Sequence, residues 1–179
     1  MVKTLSAFFL LLLIAAPAMA QDDYPRVEMG MGYANYSLPG ATASSTQHRS
    51  GFAMQTGFNL KKSVGVDYYL GYYSLGSGSQ LFSNVFSAKL MARTDKITPF
   101  VLAGIGGSQV SQQSGGSYYS SGSALTTRMG GGIDYKLTDG MSWRVDVSKM
   151  QFHTRDAANK KVWVGNMNFA TGIVITLMQ

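Results

Sequence analysis

Two histidines are the residues of this chain best suited to acid–base chemistry. His48 precedes Arg49, and His153 has Thr154 and Asp156 nearby in the sequence. A histidine activates a serine or a water only when the nucleophile lies within hydrogen-bonding reach. Ser50 follows His48 by two positions, but we expect neither histidine to form the His–Ser pairing of a lipid A deacylase. Two isolated histidines without clustered cysteines or carboxylates also lack the ligand set of a zinc site. We therefore interpret both histidines as solvated loop residues and expect no catalytic, metal or cofactor site.

Seven charged residues are better candidates for a site, because each falls on the polar face of an alternating segment. They are Glu28, Asp67, Lys89, Arg128, Asp134, Arg144 and Asp146, four acidic and three basic. Charge in a confined interior is costly when it is isolated and tolerated when it is paired and hydrogen-bonded. The pattern favours a structural ladder of salt bridges. The alternative is a switchable gate in a narrow pore.

The elements that position these residues follow an export signal. Lys3 gives a positive start, Leu5 to Ala16 form an apolar run, and Ala18-Met19-Ala20 is an A-x-A cleavage pattern. These are the three parts of a secretory signal peptide. The apolar run is shorter than the ~20 residues of a membrane-spanning helix, so a retained anchor is the less favoured alternative. We predict a signal peptide over residues 1–20 and cleavage after Ala20.

The mature chain, residues 21–179, has the length of one domain. It has no cysteine, so the export compartment is not used for disulfide bonds. The full chain has 15 basic and 9 acidic residues, and loss of Lys3 leaves 14 against 9, a net charge of +5. This charge is spread along the chain without a block of Lys and Arg, which argues against a nucleic-acid partner. The runs GIGG and GGG are not phosphate cradles, because no predicted helix follows them.

Apolar and polar residues alternate along eight segments, and no segment shows a convincing helical repeat. The segments cover residues 25–38, 50–60, 63–75, 81–93, 97–110, 124–137, 141–152 and 161–178. Such alternation is typical of strands with two different faces. Most of the segments exceed the ~9–11 residues that a tilted transmembrane strand needs. Residues 97–110 are apolar on both faces, so the inward face of this segment stays open.

The two faces of the segments differ in side-chain size as well as in polarity. Gly130, Gly132 and Asp134 share one face, opposite Ile133 and Tyr135. Small residues and isolated charges suit the narrow interior of an eight-stranded barrel, whereas large apolar residues suit lipid. A soluble barrel of the lipocalin type, the less favoured alternative, would need a wide apolar cavity inside. We expect Gly130 and Gly132 to lie inward, where no room is left for a side chain.

The connections between the segments alternate between short and long. Tight turns cover residues 61–63, 94–96 and 138–140, and longer, polar, mostly Gly- and Ser-rich connections cover 39–49, 76–80, 111–123 and 153–160. Short periplasmic turns that alternate with long external loops are typical of outer-membrane barrels. The predicted fold is therefore all-β: an eight-stranded antiparallel up-and-down transmembrane β-barrel over residues 21–179.

Three stretches carry a resemblance to a known family: ITPFVLAGIGG (97–107), GGGIDYKLTDGMSWRVDV (130–147) and the closing FATGIVITL (169–177). With the signal peptide, they make the chain similar to the OmpA-like family of small outer-membrane β-barrel proteins along essentially the whole mature length. The resemblance implies a location in the bacterial outer membrane. Family members usually end in an aromatic residue, whereas this chain ends in Leu177-Met178-Gln179.

Fold and resemblance together imply a non-enzymatic barrel with a structural or surface-interaction role through its long external loops. The alternatives are a narrow gated channel for small solutes or ions and a lipid-modifying enzyme. We expect a monomer that contacts outer-membrane lipid and lipopolysaccharide and meets an extracellular ligand through the loops. Residues placed to bind lipopolysaccharide phosphates are Arg49, Arg155, Lys160 and Lys161.

Overall fold

The computed structural model describes residues 24–39, 46–76, 78–114, 117–155 and 160–178. Its elements are the strands β1 (Val27–Pro39), β2 (Thr46–Lys61), β3 (Val64–Gly76), β4 (Ser79–Met91), β5 (Ile97–Ser114), β6 (Ser117–Thr138), β7 (Met141–Arg155) and β8 (Lys161–Met178). The predicted signal peptide lies outside the described residues. No helix in the described part of the chain is long and apolar enough to cross a membrane.

The eight strands form a closed antiparallel barrel in which each strand pairs with its neighbours along the chain. The ring closes where β1 pairs with β8, with Gly32 opposite Gly172. Because closure leaves no free sheet edge, the backbone groups of every strand find partners on the neighbouring strands. The predicted all-β, eight-stranded, up-and-down barrel is confirmed.

The two ends of the barrel differ in their connections. The turn end carries the first and last strand residues, Val27 and Met178, and the short connections at 62–63, 92–96 and 139–140. The loop end carries the connections at 40–45, 77–78, 115–116 and 156–160. At the turn end, Lys136 forms an exposed ion pair with Asp139 at 2.7 Å, and its hydrogen bond lowers the pKa of the Asp139 carboxyl.

The strands extend further at the loop end than the sequence predicts. β5 continues to Ser114 and β6 begins at Ser117, so most of the predicted loop 111–123 is a β-hairpin. Pairing with the neighbouring strand satisfies the backbone of this hairpin. Its Ser, Gln and Gly residues offer no apolar alternation that would mark it as strand.

The two histidines also lie on strands that extend further at the loop end than the sequence predicts. His48 is a residue of β2 and His153 a residue of β7. The prediction that both are loop residues was therefore wrong. The physical reason is the same, because backbone pairing between the strands continues past the apolar part of each strand.

Burial alternates along the strands and separates an inward from an outward face. The outward side chains are large and apolar, as the examples Phe86, Val101, Ile105, Met129 and Trp143 illustrate with exposures of 47–69%. The structure also assigns the faces of β5, which the sequence left open: Phe100 and Leu102 are buried, whereas Val101 and Ile105 are exposed. Every strand thus presents an apolar outer surface.

Gly130 and Gly132 on β6 occupy inward positions with no space for a side chain. A Cβ at Gly130 would lie 2.3 Å from the carbonyl oxygen of Val147, and one at Gly132 would lie 2.1 Å from that of Val145. Both obstructing atoms belong to the backbone of β7, which has little freedom to move aside. The expected reason for glycine at these two positions is confirmed.

Candidate functional site in the barrel lumen

All seven predicted charged residues lie on the inward face, where each is at most 7% exposed. Their side chains come from β1, β3, β4, β6 and β7. β3 and β7 are four strands apart in a ring of eight, so a contact between these two strands spans the barrel. The seven residues form two groups, one near the middle of the lumen and one closer to the turn end.

Asp67 on β3 joins two arginines that come from the opposite wall. Arg128 Nη1 lies 3.4 Å from Asp67 Oδ2, and Arg144 Nη1 lies 3.6 Å from Asp67 Oδ1. Arg128 also pairs with Asp146 at 2.6 Å, and Arg144 donates to both oxygens of Asp134, at 2.6 and 2.7 Å. Charge-assisted and bidentate hydrogen bonds are the strong ones in proteins. These five side chains form a continuous link across the lumen, which we call the central bridge.

Neutral side chains satisfy further donors of the two arginines. Arg144 Nη1 donates to Gln55 Oε1 on β2 at 2.7 Å, and Arg128 Nε donates to Ser148 Oγ at 3.1 Å. The Arg128 guanidinium also lies 4.1 Å from the centre of the Tyr69 ring, in a cation–π contact. Buried ions are tolerated when additional hydrogen bonds complete their pairing, so these contacts explain how the barrel accommodates two buried arginines.

The second ion-pair group lies nearer the turn end. Glu28 on β1 pairs with Lys89 on β4 at 3.4 Å and with Arg93 at 3.8 Å, and Asn59 Nδ2 donates to Glu28 at 3.0 Å. Arg93 was not among the predicted residues, although it follows Lys89 by four positions and alternation therefore places it on the same face. With Arg93 included, four cations face four carboxylates, and the formal charges of this network cancel.

Tyrosines and asparagines fill the lumen on the loop side of the central bridge. The Tyr69 and Tyr73 hydroxyls are hydrogen-bonded to each other, and Tyr73 donates to Asn168 Oδ1 at 2.7 Å. Tyr36 on β1 bonds the side-chain amide of Asn166 on β8 at 2.5 Å. Each of these five residues is at most 4% exposed. We call them the tyrosine layer.

Two cavities lie at the ends of the lumen. The loop-end cavity has a volume of about 560 Å³, and Tyr36 and Asn166 are among its lining residues. The turn-end cavity has a volume of about 240 Å³ and is lined in part by Arg93 and Asp134. The two cavities share no lining residue. The central bridge and the tyrosine layer therefore separate them.

His48 contacts a serine of the neighbouring strand β1. Its Nδ1 is 3.1 Å from Ser37 Oγ and 3.2 Å from Asn35 Oδ1, on the exposed outer surface near the loop end. Both contacts use one ring nitrogen, whereas a catalytic triad places the nucleophile and the orienting acid on opposite nitrogens. His153 instead stacks on Trp163, with ring centres 4.9 Å apart. Within the described residues, no group of three or more His, Cys, Asp or Glu could hold a metal ion.

A closed ring of eight strands with an apolar outer wall and a filled, polar interior is the architecture of a small outer-membrane barrel. A family model described as the outer membrane protein beta-barrel domain matches residues 6–174. The chain belongs to this family. The predicted family resemblance is confirmed, and the protein is located in the bacterial outer membrane.

Solved structures of three bacterial proteins share the fold. Neisserial surface protein A is 13% identical, with 84% of this chain and 97% of that chain covered and a TM-score of 0.71. The N-terminal β-barrel domain of OprF from Pseudomonas aeruginosa is 14% identical, with 84% and 97% covered and a TM-score of 0.56. Ail, the attachment invasion locus protein of Yersinia pestis, is 16% identical, with 84% and 99% covered and a TM-score of 0.52. No curated protein sequence matches the chain.

Proposed function

We propose that this protein is a non-enzymatic outer-membrane barrel with a closed lumen, which has a structural and surface-interaction role through its loop end. The observation that carries the proposal is the central bridge, in which Asp67 on one wall is held by Arg128 and Arg144 on the other. A path for ions would require these buried contacts to separate. A carboxylate or guanidinium left unpaired in a confined interior is strongly disfavoured.

A narrow gated channel is the alternative use of the same residues. Gating requires a second arrangement in which the arginines leave their carboxylates for other partners. Each of the eight charged residues in the two ion-pair groups already has a partner of opposite sign. The bidentate contact of Arg144 with Asp134 adds directional hydrogen bonds to this pairing. These features support a structural set of salt bridges that keeps the lumen closed.

We propose the partners of the protein from the residues and the orientation of its loop end. The signal peptide at residues 1–20 directs export, and the barrel is a monomer in lipid with its loop end outside the cell. Four predicted cations lie at or beside that end: Arg49, Arg155, Lys160 and Lys161. Arg49 is on the inward face of β2, opposite Tyr36, so we propose that lipopolysaccharide phosphates meet the other three. The segments that we expect an extracellular ligand to contact are residues 38–49, 107–123 and 153–160.

Single cysteines at the two ends are expected to react differently with a membrane-impermeant maleimide on intact cells. Ser117 begins β6 at the loop end, and Asp95 lies in the connection at the turn end. The native chain has no cysteine, so each variant carries one thiol. We expect Ser117→Cys to be labelled on intact cells and Asp95→Cys only after lysis. The reverse pattern would place the turn end outside and remove the proposed surface role.

The Ser37–His48 contact raises a second candidate function, the hydrolysis of an acyl ester at the lipid-facing rim. In that reaction the Ser37 hydroxyl would attack the ester carbonyl and pass its proton to His48. The ester C–O bond would break, the alcohol would leave with the proton from His48, and water would then release the fatty acid from the acyl-serine. We expect no such activity, because Asn35 competes for the same ring nitrogen. Purified protein in mixed micelles with phospholipid or lipid A should release no fatty acid. Release that Ser37→Ala abolishes would replace the first proposal with the second.

A further inference from the structure

One charged side chain interrupts the apolar outer wall. Among the outward positions of the described strands, Lys149 on β7 is the charged residue that lies away from a strand end. It is exposed and in register with Met129 on β6 and Met167 on β8. A lysine ammonium is costly within the hydrocarbon of a bilayer unless it reaches the headgroup level. The lumen gives no reason for a charge at this outward position.

Aromatic residues indicate how deep Lys149 lies in the membrane. Trp143 and His153 both face outward on β7, and His153 stacks on Trp163 of β8. From position 143 to 153, at ~3.3 Å per residue and a strand tilt of about 40°, the barrel axis rises by roughly 25 Å, the height of an apolar band between two aromatic girdles. Lys149 precedes His153 by four positions. Its α-carbon therefore lies about 10 Å inside the band from the loop end.

Gly165 on β8 leaves a path for this side chain toward the loop end. An added Cβ at Gly165 would lie 3.0 Å from Lys149 Cε and 3.7 Å from Lys149 Nζ. Gly165 is paired with Gln151, two positions nearer the loop end than Lys149. The lysine stem therefore runs over the glycine and carries its ammonium toward the loop end. A lysine in this arrangement covers apolar surface with its methylenes and holds its charge near the polar boundary.

Hydrogen-bond donors and an aromatic ring lie between Lys149 and the loop end on the outer wall of β7 and β8. Gln151 and Lys161 occupy outward positions nearer the loop end, and the ring of Trp163, which is 50% exposed, lies on the strand between Lys161 and Gly165. No carboxylate occupies an outward position in the described parts of β7 and β8. This stretch of wall therefore presents positive charge and amide donors without an anion of its own.

We propose that Lys149, Gln151 and Lys161 form a binding site for the phosphate group of an outer-leaflet lipid on the outer wall of β7 and β8. The phosphate accepts hydrogen bonds from the two ammonium groups and the amide, all charge-assisted by the phosphate. The acyl chains of the lipid pack on the apolar residues beside the site, Met129, Met167 and Phe169. The site deepens the proposed contact with lipopolysaccharide, and it rests on the proposed orientation of the loop end.

The test compares urea unfolding in phosphatidylcholine vesicles with and without lipid A. We expect lipid A to raise the folded-to-unfolded ratio of the native protein by about tenfold or more. Lys149→Met should lose most of this increase. In phosphatidylcholine alone, the same variant should be at least as stable as the native protein, because a charge has left the apolar band. The matched control Lys62→Met, in an exposed turn, should keep the full increase. An equal increase in Lys149→Met and in the native protein would overturn the site.

A second variant tests the course of the Lys149 side chain over Gly165 separately from its charge. Gly165→Val keeps the lysine but blocks its route, so it should also lose the response to lipid A. A full response in folded Gly165→Val would overturn the assigned route, and if this variant does not fold, the Lys149→Met comparison still decides.

Two further additions identify the source of the phosphate. Dephosphorylated lipid A in the vesicles and inorganic phosphate in the buffer should each leave the native protein unshifted. A shift with inorganic phosphate would identify a soluble anion and reject the lipid. Absence of any lipid A response would reject the site without bearing on the closed lumen, which ion conductance tests independently.

Discussion

Replacement of Arg144 by alanine is expected to lower the free energy of unfolding by ~3–5 kcal/mol, the usual cost of removing one partner of a buried ion pair. The change removes the bidentate contact with Asp134 and one of the contacts with Asp67. Asp67 keeps Arg128 as a partner. The cost therefore falls mainly on the Asp134 carboxylate, which is only 7% exposed. Urea unfolding in lipid vesicles measures it.

A double-mutant cycle separates this ion pair from packing. Asp134→Asn alone should also destabilise the barrel, because Arg144 then loses its bidentate partner. The double variant Asp134→Asn/Arg144→Ala should cost less than the sum of its two single changes, by ~0.5–3 kcal/mol. Lys96→Ala, in an exposed turn, serves as a control and should change stability by less than about 0.5 kcal/mol. Simple additivity of the two lumen changes would show that Asp134 and Arg144 do not act as a pair.

An arginine in place of Ile105 is expected to destabilise the barrel by ~2–4 kcal/mol in a bilayer, the cost of a basic side chain near the midplane of the lipid face. Ile105 is 57% exposed on the outer face of β5 and lies opposite Phe86 of β4. It is close to the middle of the outward residues 97–109, so the guanidinium has no short route to water. Urea unfolding of the protein in phosphatidylcholine vesicles gives the change.

The control for Ile105→Arg is the same substitution at a shallower position in the membrane. Gln109→Arg places the same side chain on the same face of β5 nearer the loop end, where its cost should fall to ~0–1 kcal/mol. Ile105→Leu should change stability little, because a volume-conserving apolar swap keeps the contact with lipid. Small and equal costs for arginine at the two positions would mean that this face does not meet hydrocarbon.

Alternation along the sequence is sufficient to place most inward residues of this barrel. Asp67 lies between Val66 and Tyr68, so the polar and apolar faces of β3 are clearly distinguished, and Asp67 is indeed buried. β5 offers no such contrast. Phe100 and Leu102 face the lumen whereas Val101 and Ile105 face outward, and all four are apolar. Hydrophobicity alone therefore carries no information about the faces of this strand.

The partners of the inward charges depend on relations that periodicity within one strand does not contain. Asp67 meets Arg128, 61 residues later, because ring closure sets β3 opposite β6 and β7. The ion pair between Arg93 and Glu28 likewise depends on closure of the ring, which brings the end of β4 near β1. The extended β5–β6 hairpin was missed for a different reason. Its backbone pairs beyond the membrane band, where side-chain alternation is no longer required.

Planar-bilayer recording of the unmodified protein tests the closed lumen most directly. The central bridge and the tyrosine layer separate the two end cavities, and an eight-stranded barrel has an interior just wide enough for side chains to fill. A closed lumen therefore predicts no sustained conductance from samples whose heat-modifiable gel migration shows that the barrel has folded. Steady ion current through the unmodified protein would contradict it.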